Sequence, residues 1–292
     1  MSKIWLITGS SRGLGRDLAK AVLASGDRLV ATARKPEQLR YLVDQYGDQV
    51  RAVALDVTDP ASARAAVAAA VSNFGRLDVV VNNAGYANIS SIEDAAEEDF
   101  RTQFETNFFG VFHVTRAALP VLRAQGSGHI IQISSIGGRV GSAGLGSYQS
   151  AKWAVEGFSE VLARETAPFG VKVTIVEPGG FRTDWAGSSM RVDAFNAAYQ
   201  QTVGALTAYR GNPQLAHGDP EKGARAIVRI ANEQSPPLRL LLGTDAVFLA
   251  KTAAVRRAEE DESWQALSRS TDFDGQVDFA DTDLAKMLTK RS

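Results

Sequence analysis

Lys3-Ile4-Trp5-Leu6-Ile7-Thr8-Gly9-Ser10-Ser11-Arg12-Gly13-Leu14-Gly15 decides how this chain folds. Lys3 to Ile7 is a short apolar run, as expected of a parallel strand buried on both faces. It stops at Thr8-Gly9. Beyond the turn, Leu14, Leu18, Val22 and Leu23 recur at helical spacing, and Gly26 stops the helix. The order is therefore strand, glycine-rich turn, helix. Glycines let the backbone turn tightly and approach a pyrophosphate, which sits at the positive end of the helix. Gly9, Ser11, Arg12, Gly13, Leu14 and Gly15 are the candidate cofactor contacts in this turn. A glycine triplet alone is a weak signal, and its place between strand and helix is what strengthens it.

Outward from the turn, Arg28 to Ala33 reads as a second strand. It ends at Arg34-Lys35 and not at an acidic residue. In dinucleotide folds an acid about 20 positions on binds the ribose hydroxyls of NAD, whereas Arg accommodates the extra phosphate of NADP. Arg34 lies 19 residues after Gly15. Its planar fork of donors suits phosphate, and Arg12 is a second phosphate partner. The expected cofactor is NADP(H).

The same alternation continues. Pro36 to Tyr46 reads as helix, Val50 to Leu55 as strand. Asp59-Pro60 is an N-cap with a first-turn proline, opening an alanine-rich helix to about Phe74. Asp78 to Val81 is a strand followed by Asn82-Asn83-Ala84-Gly85. A helix carries Phe104, Phe108, Val111, Phe112, Thr115 and Leu119 on one stripe, with Asn107 beside it. His129 to Ser134, Val171 to Glu177 and Leu238 to Leu242 are further strands. Helices run from Tyr148 to about Thr166, after Asp219-Pro220, and from about Asp245 to Glu262. Alternating strands and helices imply an α/β, doubly wound Rossmann-type parallel sheet of about seven strands with helices on both faces. The candidate residues all fall at strand carboxyl ends or helix starts, where open α/β sheets place ligand crevices.

One such end carries chemistry of its own. Ser135 lies thirteen residues before Tyr148, and Tyr148 four before Lys152. On a helix, Tyr148 and Lys152 share a face. A cation so placed favours phenolate and is expected to lower the Tyr pKa from about 10, a three-unit drop corresponding to roughly 4 kcal/mol. The phenol then serves as general acid or base, and the Ser135 hydroxyl bonds the oxygen on which charge changes. Tyr-x-x-x-Lys alone is common on helix surfaces, so the reading rests on the rest of the chain.

Composition narrows the classes. Hydrophobic residues make up 45% and charged residues 22%, ample for a core. The net charge of -1 gives no basic excess for nucleic acid or an anionic membrane. Zero cysteines exclude disulfides, thiolate metal sites and cysteine nucleophiles. His113, His129 and His217 are far apart, so no metal site is expected. No apolar run reaches the roughly 18 residues of a membrane span. Met1-Ser2-Lys3 shows no signal peptide, and a cytoplasmic protein is expected.

Together, Thr8 to Gly15, Asp56, Asn82-Asn83-Ala84-Gly85, Asn107, Ser135, Tyr148-x-x-x-Lys152 and Pro178-Gly179 with Thr183 resemble the short-chain dehydrogenase/reductase family, in its compact single-domain branch. The likeness spans residues 4 to about 243. It implies that Tyr148 is the general acid/base, that Lys152 binds the nicotinamide ribose, and that Ser135 orients the substrate oxygen. It also implies that Asn107 holds a water relaying protons through Lys152. Asp56 and Val57, Asn83, Ala84 and Gly85, and Pro178, Gly179 and Thr183 would complete the cofactor contacts. Asp56 would touch adenine, Asn83 the adenosine side, and Thr183 the nicotinamide amide.

The expected organisation is one oxidoreductase domain over 1–267, a substrate lid at about 181–218, and a tail over 268–292. Phe181, Trp185, Met190, Phe195, Tyr199 and Tyr209 make the lid aromatic, which suits an apolar, steroid-like or aromatic carbonyl or alcohol. The tail reads either as a segment docked on a neighbouring subunit or as partly disordered. The resemblance implies a homodimer or homotetramer. The expected function is NADPH-dependent carbonyl reduction. A non-catalytic NADP-binding regulator on the same scaffold is the alternative, which the intact Ser135, Asn107, Tyr148 and Lys152 argue against.

Overall fold

Strand β1 (Ile4–Ile7) is fully buried, and the glycine turn delivers the chain directly into α1 (Gly13–Ala24). The computed structural model describes residues 2–183, 190–209 and 216–289. After α1 come β2 (Arg28–Ala33), α2 (Arg40–Tyr46), β3 (Val50–Ala54), α3 (Pro60–Phe74), β4 (Val79–Asn82) and β5 (Ala87–Ile89). Then follow α4 (Glu97–Phe104), α5 (Gly110–Gln125), β6 (Gly128–Ile133), α6 (Gly146–Thr166), β7 (Val171–Pro178) and β8 (Met190–Val192). The chain continues through α7 (Ala205–Tyr209), α8 (Pro220–Ala231), β9 (Arg239–Leu242), α9 (Thr244–Ser263), α10 (Gln265–Arg269) and α11 (Asp283–Thr289).

Among the described residues, seven strands pair in parallel in the order β3-β2-β1-β4-β6-β7-β9. Successive side chains of a strand point to opposite faces, and here both faces are covered. Trp5, Ile7, Leu29 and Ala31 pack with Leu18, Val22, Ala224 and Ile227 of α1 and α8. Ile4, Leu6 and Val30 pack with Ala66, Val67, Val114 and Leu162 of α3, α5 and α6. That is why the strands read as continuous apolar runs. This is the doubly wound Rossmann-type sheet, with strand order reversing across β1 and β4.

Signals whose chemistry is local translate directly into structure. Asp59 caps α3 by accepting from Ala61 and Ser62 backbone N–H, and Asp219 caps α8 from Glu221 and Lys222, each with proline next. Pro36–Leu39 is a 3-10 turn leading into α2, not one continuous helix. The phenylalanine-rich helix is α4 and α5 joined by a π-turn, Glu105–Phe109. α6 opens two residues before Tyr148. The short parallel pair β5 and β8, which no sequence pattern announces, ties Ala87 to Met190 and Ile89 to Val192.

Candidate active site

The glycine turn is held from below by Asn83. Its side-chain amide donates to the Thr8 carbonyl at 2.9 Å and the Gly9 carbonyl at 3.1 Å. Thr8 Oγ1 accepts in return from the Asn83 and Ala84 backbone N–H, both at 2.9 Å. Asn83, expected on the adenosine side of a cofactor, thus ties the end of β4 to the turn through its side-chain amide. Gly9 and Gly13 have φ of +68° and +54°, a region L side chains seldom adopt. At Gly15 an added Cβ would lie 2.3 Å from the Gly9 carbonyl oxygen. α1 therefore begins pressed against β1. No side chain caps it and no acid occupies its first turn. A helix start so left suits a pyrophosphate, so the residues fit a dinucleotide.

Arg34 and Lys35 lie at the end of β2, with Lys35 exposed. Asp56 accepts from the Thr58 hydroxyl and N–H, and this holds its carboxyl below the usual range, with a smaller contribution from the Arg34 charge. Val57 packs on the π-turn side, its Cγ2 2.6 Å from where a Gly110 Cβ would stand. On the opposite wall, Gly13 faces Thr183, 3.6 Å from its Cβ to an added Cβ. Pro178 and Gly179 end β7. Asp245, in the first turn of α9, accepts from the Gly180 N–H at 2.6 Å, and a Cβ on Gly179 would meet its carboxylate at 2.3 Å.

Ser135, Tyr148 and Lys152 converge at the carboxyl end of β6. Ser135 Oγ accepts from the Gly137 N–H at 3.0 Å, and its hydroxyl acts on the Tyr148 phenol in the sense that favours phenolate. Lys152 Nζ stands 5.7 Å from the Tyr148 ring centroid and donates to the Ile133 carbonyl at 2.7 Å. Tyr148 and Lys152 are 6% and 4% exposed. Asn107, fully buried in the π-turn, accepts from the Tyr86 N–H at 3.0 Å and donates to the Tyr86 carbonyl at 2.9 Å. A Cβ on Gly85 would lie 2.6 Å from Asn107 Oδ1 and 3.8 Å from Lys152 Nζ, so these residues meet at one point. A π-turn inserts one residue into a helix and re-aims the side chains beyond it; here it turns Asn107 inward.

One expectation is overturned. The Tyr148 pKa is not lowered by Lys152 but pushed up to about 12 by burial, which the Ser135 hydrogen bond only partly offsets. Lys152 aims its amine at a carbonyl and lies over the ring, and burial brings its own pKa down to about 8. Desolvation outweighs the Ser135 hydroxyl at Tyr148 and the Glu156 charge at Lys152.

The lid residues divide. The Phe181 ring fills the space beside Gly218 and Gly223, 2.3 Å and 2.6 Å from added Cβ atoms, and packs on the sheet core. Met190 and Val203 are buried with Ala87, Ile89 and Tyr148, and Phe195 and Tyr199 pack on them. Tyr199 also donates to Glu93 at 2.6 Å. Trp185 lies outside the described residues, as do the positions 184–189 and 210–215 of the expected lid.

Sequence reasoning missed the charges behind Lys152. Glu156 and the fully buried Glu177 meet Arg139 and Arg239 there. The available signal was Glu156 at i+4 from Lys152 and an acid ending the apolar strand β7. Among the described residues no group of three or more His, Cys, Asp or Glu could hold a metal ion. Among them, no helix is long and apolar enough to cross a membrane.

The short chain dehydrogenase family model matches residues 3–192. A fungal protein, oxidoreductase BOA17 of Botryotinia fuckeliana (strain B05.10), is 54% identical over 270 residues, covering 92% of this chain and 98% of that one. The crystal structure of a short-chain dehydrogenase from Streptomyces avermitilis is 42% identical with a TM-score of 0.86, covering 94% of this chain and 99% of that one. A 3-ketoacyl-(acyl-carrier-protein) reductase from Brucella melitensis, solved with NADH, is 26% identical with a TM-score of 0.70, covering 82% and 96%.

Proposed function

The chain belongs to the short chain dehydrogenase family, and from that premise we propose that it is an NADP(H)-dependent oxidoreductase of a carbonyl or secondary alcohol on an apolar or cyclic small molecule. The observation that carries this reading is the buried Ser135–Tyr148–Lys152 cluster at the carboxyl end of β6. The nicotinamide, when bound, exchanges the hydride. Gly9, Ser11, Arg12, Gly13, Leu14 and Gly15 would hold the pyrophosphate. Asp56, Val57, Asn83, Ala84 and Gly85 would line the adenosine side, and Pro178, Gly179 and Thr183 the nicotinamide side. Arg34, with no acid at the end of β2, would read the 2′-phosphate.

Tyr148 carries the proton. Near neutral pH the phenol is protonated, as donation to a carbonyl oxygen requires. Ser135, which accepts from the Gly137 N–H, would turn its one proton to the substrate oxygen as charge develops there. Lys152 would hold the ribose, and Asn107 would place a water beside it. Met190, Phe195, Tyr199 and Val203 cover the phenol with apolar surface, which supports an apolar substrate. The domain is taken as 1–267 with its lid at about 181–218 and tail at 268–292, in a cytoplasmic homodimer or homotetramer.

The test is NADPH oxidation across a carbonyl panel with the wild type and Tyr148→Phe. The expected result is turnover by the wild type and a loss of two or more orders of magnitude in the variant, with NADPH affinity retained. Near-normal turnover without the phenol hydroxyl would overturn the assignment.

A further inference from the structure

Behind Lys152 lies a buried charge cluster that the proposed chemistry does not use. Lys152 and Glu156 occupy one face of α6, a turn apart. Glu156 is 6% exposed and Glu177, from β7, is fully buried. Arg239 from β9 donates to Glu156 at 3.0 Å, reaches Glu160 at 2.5 Å and stands 3.5 Å from Glu177. Arg139, after β6, grips Glu177 through two bonds of 2.6 Å. Arg257 of α9 donates to the Arg139 carbonyl. The Ser134 hydroxyl, at the end of β6, lies beside Glu156 Oε1 without an aligned bond to it.

Lys152, Arg139, Arg239 and, further out, Arg257 supply four positive groups, and Glu156, Glu177 and Glu160 three negative ones. Arg139 and Arg239 each have a carboxylate at bonding distance, whereas Lys152 Nζ donates to a neutral carbonyl. Glu156 is the one acid whose field raises the proton affinity of that amine. Its second carboxylate oxygen, Oε1, has no hydrogen-bond partner. A carboxylate held half-satisfied in the interior costs stability, and its use must be sought in what it faces.

We propose that Glu156 is a positioning residue that keeps Lys152 protonated, and so sets the upper pH limit of the reaction. This rests on the reading of Lys152 as the cofactor-holding amine. Burial alone drives an amine toward neutrality. An ionised Glu156 one helical turn away opposes that. Glu156 itself is pushed toward protonation by burial and by Glu177, and Arg239 and Ser134 pull the other way. On balance Glu156 is raised to about 7, so it is charged over the alkaline range in which Lys152, brought down to about 8, gives up its proton.

The experiment reads the amine directly in the cofactor-free full-length chain. With 13C-labelled lysine, the Lys152 Cε signal, assigned by its loss in Lys152→Arg, is followed against pH. In Glu156→Gln its midpoint is expected to fall by about one unit or more. The alkaline limb of carbonyl reduction moves down by the same amount. A midpoint within a few tenths of wild type would overturn the proposal. The wild type supplies a test needing no substitution, should Glu156→Gln fail to fold. Its Lys152 signal is expected to show a second inflection at the pH where the Glu156 Cδ signal titrates, and a single smooth titration would overturn the proposal. These readings are independent of turnover. A chain inactive on every carbonyl would refute the enzyme assignment while leaving the Glu156–Lys152 coupling measured.

Discussion

The proposed reading puts cofactor choice on Arg34. Its guanidinium stands at the end of β2, beside Lys35 and close enough for its field to act on Asp56. Arg34→Asp replaces a phosphate partner with a charge that repels phosphate and accepts from ribose hydroxyls. A charge-assisted hydrogen bond is worth about 1.5–3 kcal/mol, so the ratio of NADPH to NADH efficiency is expected to fall about tenfold to hundredfold. Steady-state kinetics with both cofactors checks this, and an unchanged ratio would remove Arg34 from phosphate recognition. Ser135, Tyr148, Lys152 and Asn107 stand out by residue type and spacing, and they do meet. What spacing could not supply was the sign of the Tyr148 shift. Proximity of a cation is visible in a sequence; the depth at which both groups are buried is not, and depth decides.

At the scale of elements, the turn between β1 and α1 has the least room. A Cβ at Gly15 would lie 2.3 Å from the Gly9 oxygen and 2.4 Å from Asn83 Nδ2, the atom that clamps the turn. Gly15→Ala must therefore push α1 off β1 or break the Asn83 bonds. Overpacking of this kind costs about 1–3 kcal/mol. The expected outcome is a melting temperature lowered by several degrees and NADPH binding weakened at least tenfold, read by thermal denaturation and fluorescence titration. Full affinity in a folded variant would show that the close approach is not needed. The strands and the two Asp-Pro caps were legible because their signals are local. β5 and β8 were not, because three residues each carry no period, and their pairing joins positions about a hundred apart. The π-turn was not, because an inserted residue leaves the phenylalanine stripe almost intact.

The whole molecule carries a pH liability far from its site. His129, at the start of β6, is 3% exposed, and burial, with Lys172 and Lys3 adding to it, lowers its pKa from 6.5 to about 3. Thr174 gives its proton to the Pro237 carbonyl at 2.8 Å, so the imidazole donates to Thr174 from Nε2, at 2.9 Å. The folded state therefore holds His129 neutral. Above 6.5 neither state is protonated and the contribution is complete. Below 6.5 the unfolded chain takes up the proton first, so stability is lost progressively toward pH 3. At about 1.4 kcal/mol per unit this amounts to several kcal/mol. His129→Gln should flatten the decline of stability between pH 6.5 and about 4 in urea unfolding, and an identical slope would place the acid sensitivity elsewhere.

The small cluster that seats Tyr148 against Met190, Val203, Phe195 and Tyr199 has one more implication. The apolar side chains packed on the ring are also the medium in which its hydroxyl ionises. A polar substitution among them would let water in and ease the burial that holds the phenol above its ordinary pKa, so one small cluster sets both the greasiness of the site and the strength of its acid.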